Sequence, residues 1–265
     1  MHHHRNLPCL LVLKVLFSFF LFSFYVPLSL YTGITNSNGV ATVNITCSTN
    51  ITLTASYSNV SDTASVTYAS YLFYDNCTSD RSSEYANASL QTSSNTSYLT
   101  MSYNNNGYYK IQATSNEGNH YAKWISSVTG EDNLKFSAEV MTNSFNGSNR
   151  FGIVVGTSDY KSERYQITGT NIEHQTFVGT SETLLDSHSI SSAQTNTWYK
   201  MEFIVQGTSF TFTLSDMNEN ELYTVTSTFQ SNVITSSSTK QYGLYYLNYY
   251  PTGEKNFRNI KVESL

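Results

Sequence analysis

The sequence predicts an all-β protein, a partial β-sandwich followed by a larger antiparallel one. Three observations predict it. Polar and apolar residues alternate at period two over many short runs, the pattern of half-buried strands. Those runs are rich in Thr, Tyr, Phe and Val, with Asn, Ser and Gly between them, which suits pleated surfaces and tight turns respectively. Outside the N-terminus, no long stretch carries the apolar spacing of an amphipathic helix.

The bulk numbers bound the function. The chain has 265 residues, 21 Tyr, 15 Phe and only 3 Pro. Charged residues make up 12%, about half the share usual in soluble domains, so solubility rests on Ser, Thr, Asn and Tyr. Net charge is −5 without a basic run. That argues against nucleic acid as a partner, because phosphate neutralisation needs clustered Lys and Arg.

The N-terminal stretch is apolar from Cys9 to Tyr31, broken only by Lys14. Two readings of residues 1–25 fit, a cleaved signal peptide and an uncleaved membrane anchor. Both export the remainder to the cell surface or beyond, with membrane contact only through this segment. A truncated reading frame is the plain alternative, and the three histidines after Met1 read as a tag or chance.

Next, Asn38-Gly39 forms a turn, and Ala41, Val43 and Ile45 alternate with Thr42 and Asn44. "ITLTASYS" repeats the pattern, and "TASVTYAS" sets Ala64, Val66 and Tyr68 on one face. "TGITNSNGVATVNIT" with "ITLTASYSNVSDTASVTY" resembles the C-terminal half of a bacterial Ig-like domain. The resemblance implies a partial Ig-like module over residues 26–70. Its front strands are missing apart from one that "FYVPLSLYTG" can supply.

From residue 71 onward, eleven strands are expected: "YLTMSY", "YYKIQA", "KFSAEVMT", "FGIVVGT", "YQITG", "TFVGT", "WYKMEFIVQG", "FTFTLSD", "LYTVTSTF", "QYGLYYLNYY" and "FRNIKVES". "RFGIVVG", "NTWYKMEFIVQGTSFTFTLSD" and "YGLYYLNYYPTGEKNFRNIKVESL" resemble the concanavalin A-like, or LamG-like, jelly-roll superfamily. The resemblance implies a jelly-roll sandwich over residues 71–265. Together the two modules resemble prokaryotic adhesin-like surface proteins.

The fold hosts lectins, glycosidases and spacers, so function must be argued from sites. No G-x-S-x-G or H-E-x-x-H occurs. Asp186 and His188 in "DSHS" are neighbours in sequence, which is not evidence for a triad. The laminarinase-like E-x-D-x-E string is absent, although jelly-roll glycosidases need two carboxylates about the scissile bond. "SDMNENE" reads as a hairpin turn. Its Asp216-x-Asn218-x-Asn220 spacing begins like a calcium loop, but Glu221 and Ser227 stand where Gly and Glu are required. No cofactor or metal is expected.

Binding remains, and sugar recognition needs aromatic faces with a few convergent polar groups. "SDYKSERYQITG" concentrates Tyr160, Arg164 and Tyr165 with other charges in a charge-poor chain. "NIEHQTF" adds Glu173 and His174 beside it if the two strands form a hairpin, and Tyr245 comes from "YGLYYLNYY". These six are the candidate ligand residues, against the plain reading of a solvated hairpin. Trp124 and Trp198 read as packing. The expected role is non-catalytic recognition of carbohydrate or another cell surface. A structural spacer or virus tail-fibre component is one alternative, a jelly-roll glycosidase another.

Two covalent features suit export. All six Asn between residues 44 and 95 (Asn44, Asn50, Asn59, Asn76, Asn87 and Asn95) lie in N-x-S/T sequons, and Asn146 adds a seventh. That clustering suggests a glycan-carrying half and a bare distal face, unless it reflects composition alone. Cys47 and Cys77 form a disulfide or remain two thiols.

Overall fold

The computed structural model describes residues 21–26, 29–34, 51–57, 60–66, 71–90, 99–113, 120–144, 149–157, 160–191, 193–248 and 254–265. The chain divides into two compact units, Met1–Ser70 and Tyr71–Leu265.

The first unit contains β1 (Leu21–Val26), β2 (Ser29–Ile34), β3 (Ile51–Tyr57) and β4 (Val60–Val66) in one antiparallel sheet of order β2-β1-β3-β4. Here β1 pairs with both β2 and β3. The C-terminal end of the apolar leader is therefore strand, where the sequence suggested one strand from "FYVPLSLYTG" alone. The expected Ala41–Ile45 strand lies outside the described residues. Among the described residues no helix is long and apolar enough to cross a membrane.

The second unit is a jelly-roll sandwich. Its strands are β5 (Tyr71–Asp75), β6 (Tyr85–Ser89), β7 (Leu99–Asn104), β8 (Tyr108–Ala113), β9 (His120–Thr129), β10 (Asn133–Thr142), β11 (Asn149–Gly156) and β12 (Lys161–Thr168). They continue as β13 (Asn171–Val178), β14 (Ser181–Ser189), β15 (Tyr199–Gln206), β16 (Ser209–Asp216), β17 (Glu221–Thr228), β18 (Gln241–Asn248) and β19 (Lys255–Ser264). One sheet runs β17-β16-β15-β10-β19-β8-β7, with β5 also on β19; the other runs β14-β13-β12-β11-β18-β9-β6.

Each of the eleven expected strands is present, "YYKIQA" with the same bounds as β8 and the others with shifted ends. Four more were not expected: β5, β6, β9 and β14. "DSHS" is the end of β14, a strand exposed at every position. "SDMNENE" is the β16–β17 hairpin turn. The Asp216 carboxylate is consumed by it, accepting the backbone N–H of Asn218 and of Asn220 at 2.9 Å each and the Asn220 side chain at 2.8 Å.

Period-two alternation fills the space between the sheets. From the first sheet come Phe136, Val140, Met201, Phe203, Phe212 and Leu214; from the second, Phe151, Ile153, Tyr165, Tyr242, Leu244 and Tyr246. Tyr165 stacks on Phe212 with ring centroids 3.9 Å apart and planes within 5°, joining the two sheets.

One polar group inside is unusual. Lys255 is fully buried, its Nζ donating to Thr142 Oγ1 at 2.6 Å and lying 5.2 Å over the Phe151 ring. Burial pushes its amine down to about 7. The folded protein therefore sheds this proton far below the pH at which an unfolded lysine does. Stability from this linkage is complete above the unfolded value, about pH 10.4, and is lost as pH falls towards 7. Urea midpoints measured across that window should rise with pH, and the slope should flatten in a Lys255→Met variant.

Cys77, which the sequence leaves as either half of a disulfide or a free thiol, is a free, buried thiol in the structure. Its Sγ faces the carbonyls of Asp75 and Phe257, and burial pushes its ionisation up to about 12, so it is unreactive. Cys47 lies outside the described residues. So do five of the sequon asparagines, Asn44, Asn50, Asn59, Asn95 and Asn146. Asn76 is exposed, its amide oxygen accepting the Thr78 hydroxyl at 2.8 Å. Asn87 is also exposed, accepting from the Lys123 ammonium and donating to the Leu99 carbonyl at 3.4 Å.

Candidate functional site

The register of the seven-stranded sheet decides which candidate residues meet. Tyr165 pairs with His174, Arg164 with Gln175, and Gln166 with Glu173. Gly152 stands between Gln166 and Tyr245, and Tyr245 pairs with Ala122. Because the pleat alternates, Arg164, Glu173 and Tyr245 share the face turned away from the inter-sheet core. Tyr165 and His174 share the opposite face.

Two of the six expected ligand residues are therefore core. Tyr165 and His174 stack on each other at 4.4 Å between the sheets. His174 donates from Nε2 to Glu163 at 2.7 Å, and the other oxygen of that buried carboxylate accepts the Gln230 backbone N–H at 2.9 Å. This is a satisfied, buried internal pair. Tyr160 is exposed in the β11–β12 turn, at φ 56°, and joins neither group.

On the outward face, Arg164 is the centre. It is 0% exposed. Its Nε donates to Gln166 at 3.0 Å, and its Nη2 to Gln175 at 2.8 Å and Glu182 at 2.5 Å. The guanidinium lies 4.5 Å over the Tyr245 ring and 5.7 Å from that of Phe177, an attraction strengthened by exclusion of water. Arg150 reaches the same Glu182 oxygen at 3.0 Å. Glu173 accepts the Gln166 and Gln175 amides at 2.8 and 2.7 Å.

His120 completes the set, and its tautomer is fixed by its partners. The Tyr245 hydroxyl lies 2.8 Å from Nδ1, and Arg164 Nη2, which can only donate, lies 3.4 Å from it. Nδ1 is thus the acceptor and Nε2 carries the proton, facing Glu182 at 3.8 Å. Burial first, then the Arg164 and Arg150 charges, push the ring down to about 2, so it stays neutral in ordinary buffers. Burial likewise raises the Tyr245 phenol.

Beside this network lies an apolar patch of Leu90, Ala122, Trp124, Val154, Tyr245 and Leu247. Two glycines make room for Trp124. A Cβ on Gly243 would lie 2.7 Å from the indole, and one on Gly156 would lie 2.9 Å from it. Trp124 therefore packs, as the sequence suggests, but on the outward face. Trp198 has Arg258 4.2 Å over its ring.

Sequence reasoning found Arg164, Glu173 and Tyr245 and missed His120, Arg150, Gln166, Gln175 and Glu182. In chemical terms the face offers hydrogen-bond donors and acceptors around a buried cation. Among the described residues no cluster of His, Cys, Asp or Glu could hold a metal ion.

No family model matches the chain, and no curated protein matches it. Solved structures do. The CBM2 module of the evolved Dit of Lactobacillus casei BL23 phage J-1 superposes with a TM-score of 0.52 and 12% identity, over 73% of this chain and 95% of that one. The Bacillus licheniformis β-glucanase gives 0.51 and 12%, over 73% and 97%. A xylan β-1,4-xylosidase from Bacillus halodurans C-125 gives 0.51 and 9%, over 64% and 35%. These likenesses establish the jelly-roll fold of the second unit and no more.

Proposed function

We propose that the Tyr71–Leu265 unit is a non-catalytic carbohydrate-recognition module of an exported, adhesin-like surface protein, with the preceding unit a partial Ig-like module. The observation that carries the reading is the Arg164-centred network on the outward sheet face. Amide, imidazole, phenol, carboxylate and guanidinium groups converge there over aromatic rings, the donor and acceptor mixture that hydroxyl-rich ligands require. The fold is shared with a phage CBM2 module and with two enzymes named for glucan and xylan substrates, which supports a carbohydrate ligand.

A glycosidase needs one carboxylic acid and one free carboxylate about the bond to be cleaved. Among the described residues, the carboxylates of Glu182 and Glu173 on this face are engaged otherwise. Glu182 is held by two guanidiniums and Glu173 by two amides. That favours binding over hydrolysis.

Full-length protein on a glycan array, with released sugars analysed in parallel, tests the proposal. The expected result is binding of a restricted glycan set at micromolar or tighter affinity without cleavage. Cleavage would favour the glycosidase, and no binding at all the spacer or fibre component.

A further inference from the structure

The Glu182 carboxylate is where three nitrogen donors from three strands converge: Arg164 Nη2 at 2.5 Å, Arg150 Nη1 at 3.0 Å and His120 Nε2 at 3.8 Å. Donor capacity exceeds what this one group accepts. Arg164 Nη1 and Arg150 Nε are both buried with no hydrogen-bond partner. Buried charged donors left unmatched are costly and mark a place where an acceptor belongs. Charge points the same way. Two guanidiniums contact one carboxylate, and Glu173 is set apart from them, bound to the Gln166 and Gln175 amides.

Glu182 is also the least anchored member. Its strand, β14, is exposed at every position and lies at the sheet edge. Its pairing to β13 is broken by a bulge between His174 and Gln175. The Glu182 and Arg150 side chains are 30% and 25% exposed, so the network is reached from this side.

From this we infer that the face binds an acidic saccharide, a uronic-acid type sugar whose carboxylate takes the place of Glu182 between the two arginines. The inference rests on the carbohydrate reading above and narrows it. The present occupant is itself a carboxylate, and the guanidinium fork matches that planar two-oxygen group. A sugar brings, next to its carboxylate, hydroxyl and ring oxygens that a glutamate lacks, and these meet the unmatched N–H groups. Glu182 then acts as an internal competitor that keeps the arginines paired when no sugar is bound.

The test uses the full chain and oligosaccharides of galacturonate, glucuronate and alginate, each beside its methyl ester, with matched neutral glucans and xylans. Affinities are measured by calorimetry for wild type and for Glu182→Gln, which keeps a hydrogen bond to the arginines. The expected result is at least one acid bound about tenfold more tightly than its ester. Glu182→Gln should strengthen the acid about tenfold again, so that the acid-to-ester preference widens. Equal affinity for acid and ester, preference for the neutral glycans, or weaker acid binding by Glu182→Gln overturns the inference while leaving carbohydrate recognition standing. Absence of binding to every saccharide defeats the carbohydrate reading itself.

Discussion

A Gly152→Ala variant is expected to lose about 3 kcal/mol or more of stability, the upper range for overpacking, and to accumulate poorly. Gly152 sits mid-strand in β11, between β12 and β18. A Cβ there would lie 2.0 Å from the Tyr165 carbonyl oxygen and 3.0 Å from the Gln166 Cα. Both are backbone atoms of a paired central strand. They can withdraw only by opening the β11–β12 ladder, which also sets Arg164 against its partners. Gly179 is the control. It has φ +65° in the β13–β14 turn, and a methyl group added there would meet nothing within 4 Å, so Gly179→Ala should cost only about 1 kcal/mol of backbone strain. Urea denaturation of the two variants distinguishes these cases. Equal midpoints would mean that close approach does not explain the glycine in β11.

An Arg164→Ala variant is expected to lose ligand binding and about 3 kcal/mol of stability together, the lower range for breaking a buried ion pair. The side chain is fully buried. Its removal leaves the Gln166 and Gln175 amide oxygens without their donor and takes one of two cations from Glu182. Tyr245 loses the guanidinium over its ring. Arg164→Lys separates the two effects. It keeps the charge but cannot reach three acceptors from a planar fork. Binding should fall about a hundredfold while thermal stability declines less than in the alanine variant. Binding unchanged in the lysine variant would exclude the guanidinium as a ligand group.

How much of this was legible can be traced strand by strand. β15 and β16 have one face in the core, and β17 rests a half-buried face against it, so apolar and polar residues alternate and the strands announce themselves. β9 is buried on both faces over its first six residues and carries no alternation to detect. β14 is exposed on both faces and reads as loop for the opposite reason. Both failures follow from burial, which is a property of the assembled sandwich.

The site divides in a similar way. Arg164 was visible because charge is dense around it in a charge-poor chain. Arg164 and Tyr165 cannot both serve one site, because the pleat sends adjacent side chains to opposite faces. The same argument assigns His174, paired with Tyr165, to the core. His120, Arg150 and Glu182 had no local signal. They lie on β9, β11 and β14, and only the strand order brings them to Arg164.

The central claim is that the outward face of the seven-stranded sheet recognises a saccharide through the Arg164 network. Hydrogen–deuterium exchange of the full chain, with and without a saturating saccharide from the array, tests it most directly. Recognition through the Arg164 network should slow exchange chiefly in β9, β11, β12, β13, β14 and β18. Protection confined to β15, β16 and β17 of the opposite sheet, with these six strands unchanged, would contradict it.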